Sequence, residues 1–137
     1  MPILDTDVLI ELVEELGDGP PTWGFLARYM QLLDHRVDRL DRALITRDAE
    51  GWLDAVQSLK VSSAMAGATA LSAAAAQLQE RIAPIPPDDQ RWPTGQQRTE
   101  IITGLRQLAQ ETRHHLHLFL HRPILPVTDT SRESRGT

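Results

Sequence analysis

The sequence predicts an all-α fold, one short helix followed by four longer ones. Apolar residues recur at intervals of three and four along most of the chain, and no segment alternates with a period of two. Breaks rich in glycine and proline separate the periodic runs, and no internal repeat is present.

Asp5 or Thr6 is suited to cap the first helix, with Val8, Leu9, Leu12, Val13 and Leu16 on one side and Glu11, Glu14 and Glu15 towards water. The run Gly17-Asp18-Gly19-Pro20-Pro21 ends it. A second helix is predicted from Pro21 or Thr22 to about Thr46, proline being tolerated in a first turn where its missing N–H has no partner to lose. Leu26, Tyr29, Leu33, Val37, Leu40 and Leu44 form its apolar stripe, with Arg28, His35, Arg39 and Arg42 opposite. At ~1.5 Å per residue it would be about 40 Å long, a length suited to a bundle.

Asp48 is a good N-cap for the third helix, which is predicted to end near Gly67. A fourth follows at once, alanine-rich from Ala68 to Ala76 and closing at Ile82; alanine favours helix and lets neighbouring helices approach closely. The short break at Gly67 suits an antiparallel helix hairpin. The run from Pro84 to Pro93 cannot continue a helix and reads as a long connection. The fifth helix is predicted from Thr94 to about His121, with Ile101, Leu105, Leu108, Thr112, Leu116 and Phe119 facing inward and Pro123 stopping it. Residues 1–122 are thus expected to form the bundle, and the polar, aperiodic residues 123–137 a disordered tail.

Composition narrows the functional classes. At 137 residues the chain fits one domain. No apolar run approaches the ~18 residues of a membrane span, and the N-terminus has no basic region followed by an apolar core. The absence of cysteine excludes disulfides and thiolate metal sites and is compatible with a reducing cytoplasm, the predicted location. A formal charge of −5 argues against nucleic acid as partner, since phosphate binding needs a basic patch. An acidic monomer without cofactor is expected.

The most informative stretch runs from Ala55 to Ala68. On a helical wheel Trp52, Ala55, Val56, Leu59, Ser63 and Ala66 share one side, the mixture of large and small residues that packing in a bundle requires. Leu53, Gln57, Lys60, Val61, Ala64 and Ala68 share the other. That second side is unusual for a solvent face, being small or apolar around one amide and one ammonium. Lys60 is also the chain's only lysine.

This stretch resembles the signature of histidine phosphotransfer (HPt) domains, roughly His-x-Leu-Lys-Gly-Ser-Ser-x-x-x-Gly-Ala. Leu59, Lys60, Ser62, Ser63, Gly67 and Ala68 match in register. Gln57 replaces the phosphoaccepting histidine, and Val61 the glycine after the lysine. The resemblance extends from Asp5 to about His121, including Phe25, Leu32-Leu33, Leu40, Ala43-Leu44 and Asp48 ahead of the motif. It implies an antiparallel four-helix bundle with a short extra N-terminal helix. It also implies a response-regulator receiver domain or a hybrid histidine kinase as partner.

The two departures change the chemistry that the resemblance implies. Relay of a phosphoryl group needs an imidazole nitrogen with an available lone pair. A glutamine amide nitrogen has its lone pair delocalised into the carbonyl, so Gln57 can exchange hydrogen bonds but cannot carry phosphate. Val61 adds an isopropyl group where glycine leaves room for the phosphoryl group, and enlarges an apolar face. The alternative, a change that merely stabilises the helix, is the less favoured reading, since unused faces drift towards charge. In the family the lysine helps neutralise the phosphoryl group; here Lys60 could pair with a receiver's acidic pocket, or simply be solvated. Ser62 and Ser63 read as small packing residues.

The remaining histidines offer no obvious substitute. His35 projects from the polar side of the second helix. His114, His117 and His121, three and four residues apart, share a face of the fifth, and the last two have the i, i+4 spacing of a metal pair. No third ligand stands beside them except Glu111 one turn back, so polar surface is the expectation and no metal site is predicted. His115 is expected to be partly buried. The leading expectation is therefore a pseudo-HPt adaptor that docks its partner without carrying phosphate, with no catalytic residue and Leu53, Gln57, Lys60, Val61, Ala64 and Ala68 as docking face. Phosphotransfer through a displaced histidine and a helical module unrelated to phosphorelay are the alternatives.

Overall fold

The computed structural model describes residues 2–17 and 19–121. Five helices follow in order: α1 Thr6–Leu16, α2 Pro20–Ile45, α3 Ala49–Met65, α4 Thr69–Ile82 and α5 Gly95–Leu120, with no strand among the described residues. The all-α expectation holds, and so does the arrangement. The four long helices close a ring in which α2 packs on α3 and α5, and α4 packs on α3 and α5, while the short α1 lies against α2. The predicted tail at 123–137 and the stop at Pro123 lie outside the described residues.

Each boundary has a local cause. Asp5 caps α1 by accepting from the Asp7 N–H, and Asp48 caps α3 by accepting from the Gly51 N–H. Between α2 and α3 the chain turns through Arg47 in the left-handed region, at φ 54°. The α3–α4 turn needs Gly67, whose φ is +72°. A Cβ there would also stand 3.1 Å from the Asp5 carbonyl oxygen and 3.2 Å from Leu9 Cγ. The glycine is thus where the N-terminal segment meets the bundle, tied by the Asp5 N–H to the Gly67 carbonyl at 2.8 Å.

A ladder of ion pairs records the antiparallel register of α2 and α5. Asp34, Asp38 and Asp41 on α2 meet Arg113, Arg106 and Arg98 respectively, so one series ascends as the other descends. The Arg106–Asp38 pair is exposed and the other two are partly covered; such pairs fix register more than they stabilise. Stability comes from the core, where Leu26, Leu33, Val37, Leu40 and Leu44 of α2 interdigitate with Trp52, Val56 and Leu59 of α3, Leu71 and Ala75 of α4, and Leu105 and Leu116 of α5.

Three expectations are corrected. Leu16 is exposed, since α1 buries only Leu9 fully. On α5 the buried line is Ile102, Leu105, Ala109, Thr112 and Leu116, while Ile101, Leu108 and Phe119 flank it half-buried. Periodicity alone favours the larger Leu108, but close approach of helices selects Ala109 for the centre. His115 is exposed. It lies at the edge of α5 that α4 would have to cover, and α4 has 14 residues against 26 in α5, so the last turns of α5 run past it. The expected long connection after α4 is present and is pinned to the core: Trp92 is only 1% exposed and its indole N–H donates to the Leu44 carbonyl at 3.0 Å.

The buried polar contact between α2 and α3 is a hydrogen bond of 2.7 Å joining the Tyr29 and Ser63 hydroxyls. Burial pushes the Tyr29 phenol up to about 12, with the Ser63 hydrogen bond and nearby Arg36 opposing the shift. Since the unfolded phenol ionises near 10 and the folded one two units higher, the contribution is complete below ~10 and is lost as pH rises to ~12. Urea unfolding at stepped pH should show stability falling on the order of 2 kcal/mol across that window, and Tyr29→Phe should flatten that part of the slope. Tyr29 is the only tyrosine, so tyrosinate absorbance near 295 nm reports it alone.

Candidate functional site

The outward side of α3 is where the sequence pointed, and it divides into two halves. The half nearer α4 is polar. Lys60 donates from Nζ to the Gln79 Oε1 at 2.8 Å, and the Gln79 Nε2 donates to the Gln57 Oε1 at 3.0 Å. An ammonium can only donate, so Lys60 fixes which end of the Gln79 amide faces it and which faces Gln57. With its oxygen so engaged, Gln57 has its own NH₂ free to meet a partner. The Ser72 hydroxyl of α4 donates to the Lys60 carbonyl at 3.0 Å and fastens the two helices at this level.

Towards α2 stand Val61, 45% exposed, and Met65, 57% exposed, one turn apart, with Asp54 further back on the same side paired to Arg39 of α2. Leu53, one turn before Gln57 and 44% exposed, borders Ile82 and Ala83 at the end of α4. Large apolar side chains left open in this way are of the kind that marks interaction surfaces. Ala64 is exposed between the halves, and Lys60 is half-buried. Leu53, Gln57, Lys60, Val61 and Ala64 thus all stand on the outward side of α3.

Ala68 does not. It is fully buried at the start of α4, because Gly67 turns the chain back into the bundle before the helical register of α3 reaches it. Two residues that the sequence did not single out belong to the face instead. Gln79 carries no motif signal, and its role depends on how α4 packs. Met65 was readable as exposed from the wheel, since it stands one residue beyond Ala64 and away from the Leu59–Ser63 side.

Chemically, the face can exchange hydrogen bonds through an amide and an ammonium and can bury apolar surface. The Gln57–Gln79–Lys60 network contains no histidine, thiol or carboxylate. Ser62 is bonded to its own helix through the Ser58 carbonyl at 2.7 Å, and Ser63 is buried against Tyr29. Both serines are structural, as expected. His35 is exposed on α2, and His114, His117 and His121 are exposed on α5, the last two rings stacked at 6.1 Å. No described helix is long and apolar enough to cross a membrane.

Residues 24–115 match a family model described as the Hpt domain. Comparison with curated proteins and with solved structures found no match.

Proposed function

Because the chain belongs to the Hpt domain family, the phosphorelay modules that interact with response-regulator and kinase domains, we propose that it is a docking member of that family that binds its partner without carrying phosphate. The observation that carries this reading is Gln57. It occupies the motif position of the phosphoaccepting histidine, it is exposed on α3, and its amide nitrogen is no nucleophile. Around it Leu53, Val61, Ala64 and Met65 keep an apolar surface, and Lys60 is held by Gln79 at a height from which it can meet an acidic partner group. The residues 1–122 act as one adaptor unit that works as a monomer, and the partner is a receiver domain or a hybrid histidine kinase.

The test is incubation with a phosphorylated receiver from the same cell. A complex without label on this protein is the expected result; stable label arriving on it overturns the reading. Docking through the face itself is tested separately. Val61→Asp and Lys60→Glu should each weaken receiver binding at least tenfold by isothermal calorimetry, that is by about 1.4 kcal/mol or more. Val61 is exposed enough that the Val61→Asp melt by circular dichroism should be unchanged, and for Lys60→Glu, which also loses the Gln79 hydrogen bond, the melt verifies that the bundle is folded at the binding temperature. Binding indifferent to both variants would favour a bundle whose partner sits elsewhere.

A further inference from the structure

Next to the docking face, α2 and α3 enclose a groove of about 300 Å³ lined by Phe25, Tyr29, Leu32, Met65 and the two arginines Arg28 and Arg36. Its walls are otherwise almost wholly apolar. Asp34, Asp38 and Asp41 of α2 pair with α5, and Arg39 pairs with Asp54 of α3. Arg28 and Arg36 form no ion pair among the described residues, although the chain as a whole is acidic. Arg36 is half-buried, and its Nη1 is shut off from solvent with no hydrogen-bond partner, the only buried side-chain nitrogen or oxygen so placed among the described residues.

A buried guanidinium nitrogen without an acceptor is a standing imbalance. Neighbouring Tyr29 does not relieve it: its hydroxyl is engaged with Ser63 and makes no hydrogen bond to Arg36. The natural complement is a carboxylate, which accepts from a guanidinium fork in the plane that arginine presents. The apolar walls set a second requirement, a hydrophobic side chain entering with the acid. We infer that the α2–α3 groove takes a protein partner's segment carrying a carboxylate next to a large apolar side chain, the carboxylate pairing with Arg36 and Arg28 and the apolar group packing on Phe25, Leu32 and Met65. This rests on the docking reading above and names the chemistry of the surface that docks. Met65 belongs to both the groove and the α3 face, so one partner covers the two together.

The probes are two synthetic helical peptides that differ at one position, one presenting leucine, aspartate and phenylalanine on a face, the other asparagine in place of the aspartate. At low salt the aspartate peptide should bind at least tenfold more tightly, and should shift the Arg36 Nε and Met65 methyl resonances. Arg36→Gln should erase the difference between the peptides, and Arg36→Lys should restore part of it. Met65→Glu, at an exposed position, should repel the acidic peptide without any effect on folding. Equal affinity of the two peptides overturns the inference, as do shifts confined to Gln57 and Val61. A receiver that loses binding on Val61→Asp but ignores Arg36→Gln also overturns it and leaves the docking reading standing. Acidic-peptide shifts at Arg36 with no receiver binding to the wild type support the groove and overturn the docking reading alone.

Discussion

Gln57→His is expected to let the protein accept a phosphoryl group from a phosphorylated receiver. The substitution puts an imidazole on the exposed side of α3, at the position that the proposed reading gives to the family's nucleophile, with Lys60 one turn away. Gln79, which now donates to Gln57, becomes the hydrogen-bond partner of one ring nitrogen and leaves the other at the surface. The isopropyl group of Val61 still crowds the approach, so Gln57→His with Val61→Gly should be labelled faster than the single variant. Intact mass spectrometry after incubation reads the added phosphoryl group, and its loss in acid identifies a phosphoramidate. Label on the wild type, or none on the double variant, would overturn the role proposed for Gln57.

Trp92→Ala is expected to have the largest effect on stability, about 3–5 kcal/mol, a large part of the ~5–15 kcal/mol that holds an ordinary domain folded. The indole fills the space between the loop after α4 and the end of α2, and its N–H satisfies the Leu44 carbonyl. Removing it leaves a cavity and frees the loop, whose other tie to the same end of α2 is the Arg47 guanidinium donating to the Pro87 carbonyl. Trp92→Phe keeps most of the apolar volume but loses the hydrogen bond, and should cost about 1–2 kcal/mol. Urea unfolding followed by circular dichroism measures both. A loss below ~1 kcal/mol for Trp92→Ala would show that the loop contributes little to the core.

These two predictions mark the limits of what the chain alone discloses. The helices were legible because each carries a long stripe of period 3.6 bounded by a cap or a break, as with Asp48 before α3 and Gly67 after it. Leu26 to Leu44 on α2 could be assigned to the core residue by residue. Trp92 could not, since an isolated aromatic between prolines has no period to place it. α5 was half legible: Leu105, Thr112 and Leu116 were placed correctly, but a rotation of half a residue step separates the Leu108 line from the Ala109 line, and only contact with α2 and α4 chooses between them.

The sequence by itself determined that the chain is all-α, that its motif stretch presents Gln57, Lys60 and Val61 on one helix side, and that this side lacks an imidazole. Those conclusions rest on residue chemistry and on helical periodicity, which are local. The tertiary structure alone decided three further things. Ala68 turns inward, Gln79 arrives from α4 to join Lys60 to Gln57, and Arg28 and Arg36 border an apolar groove between α2 and α3. Each depends on which faces of separate helices meet. That choice is made by the fit of side chains distant in sequence, and the pattern within any one helix does not contain it.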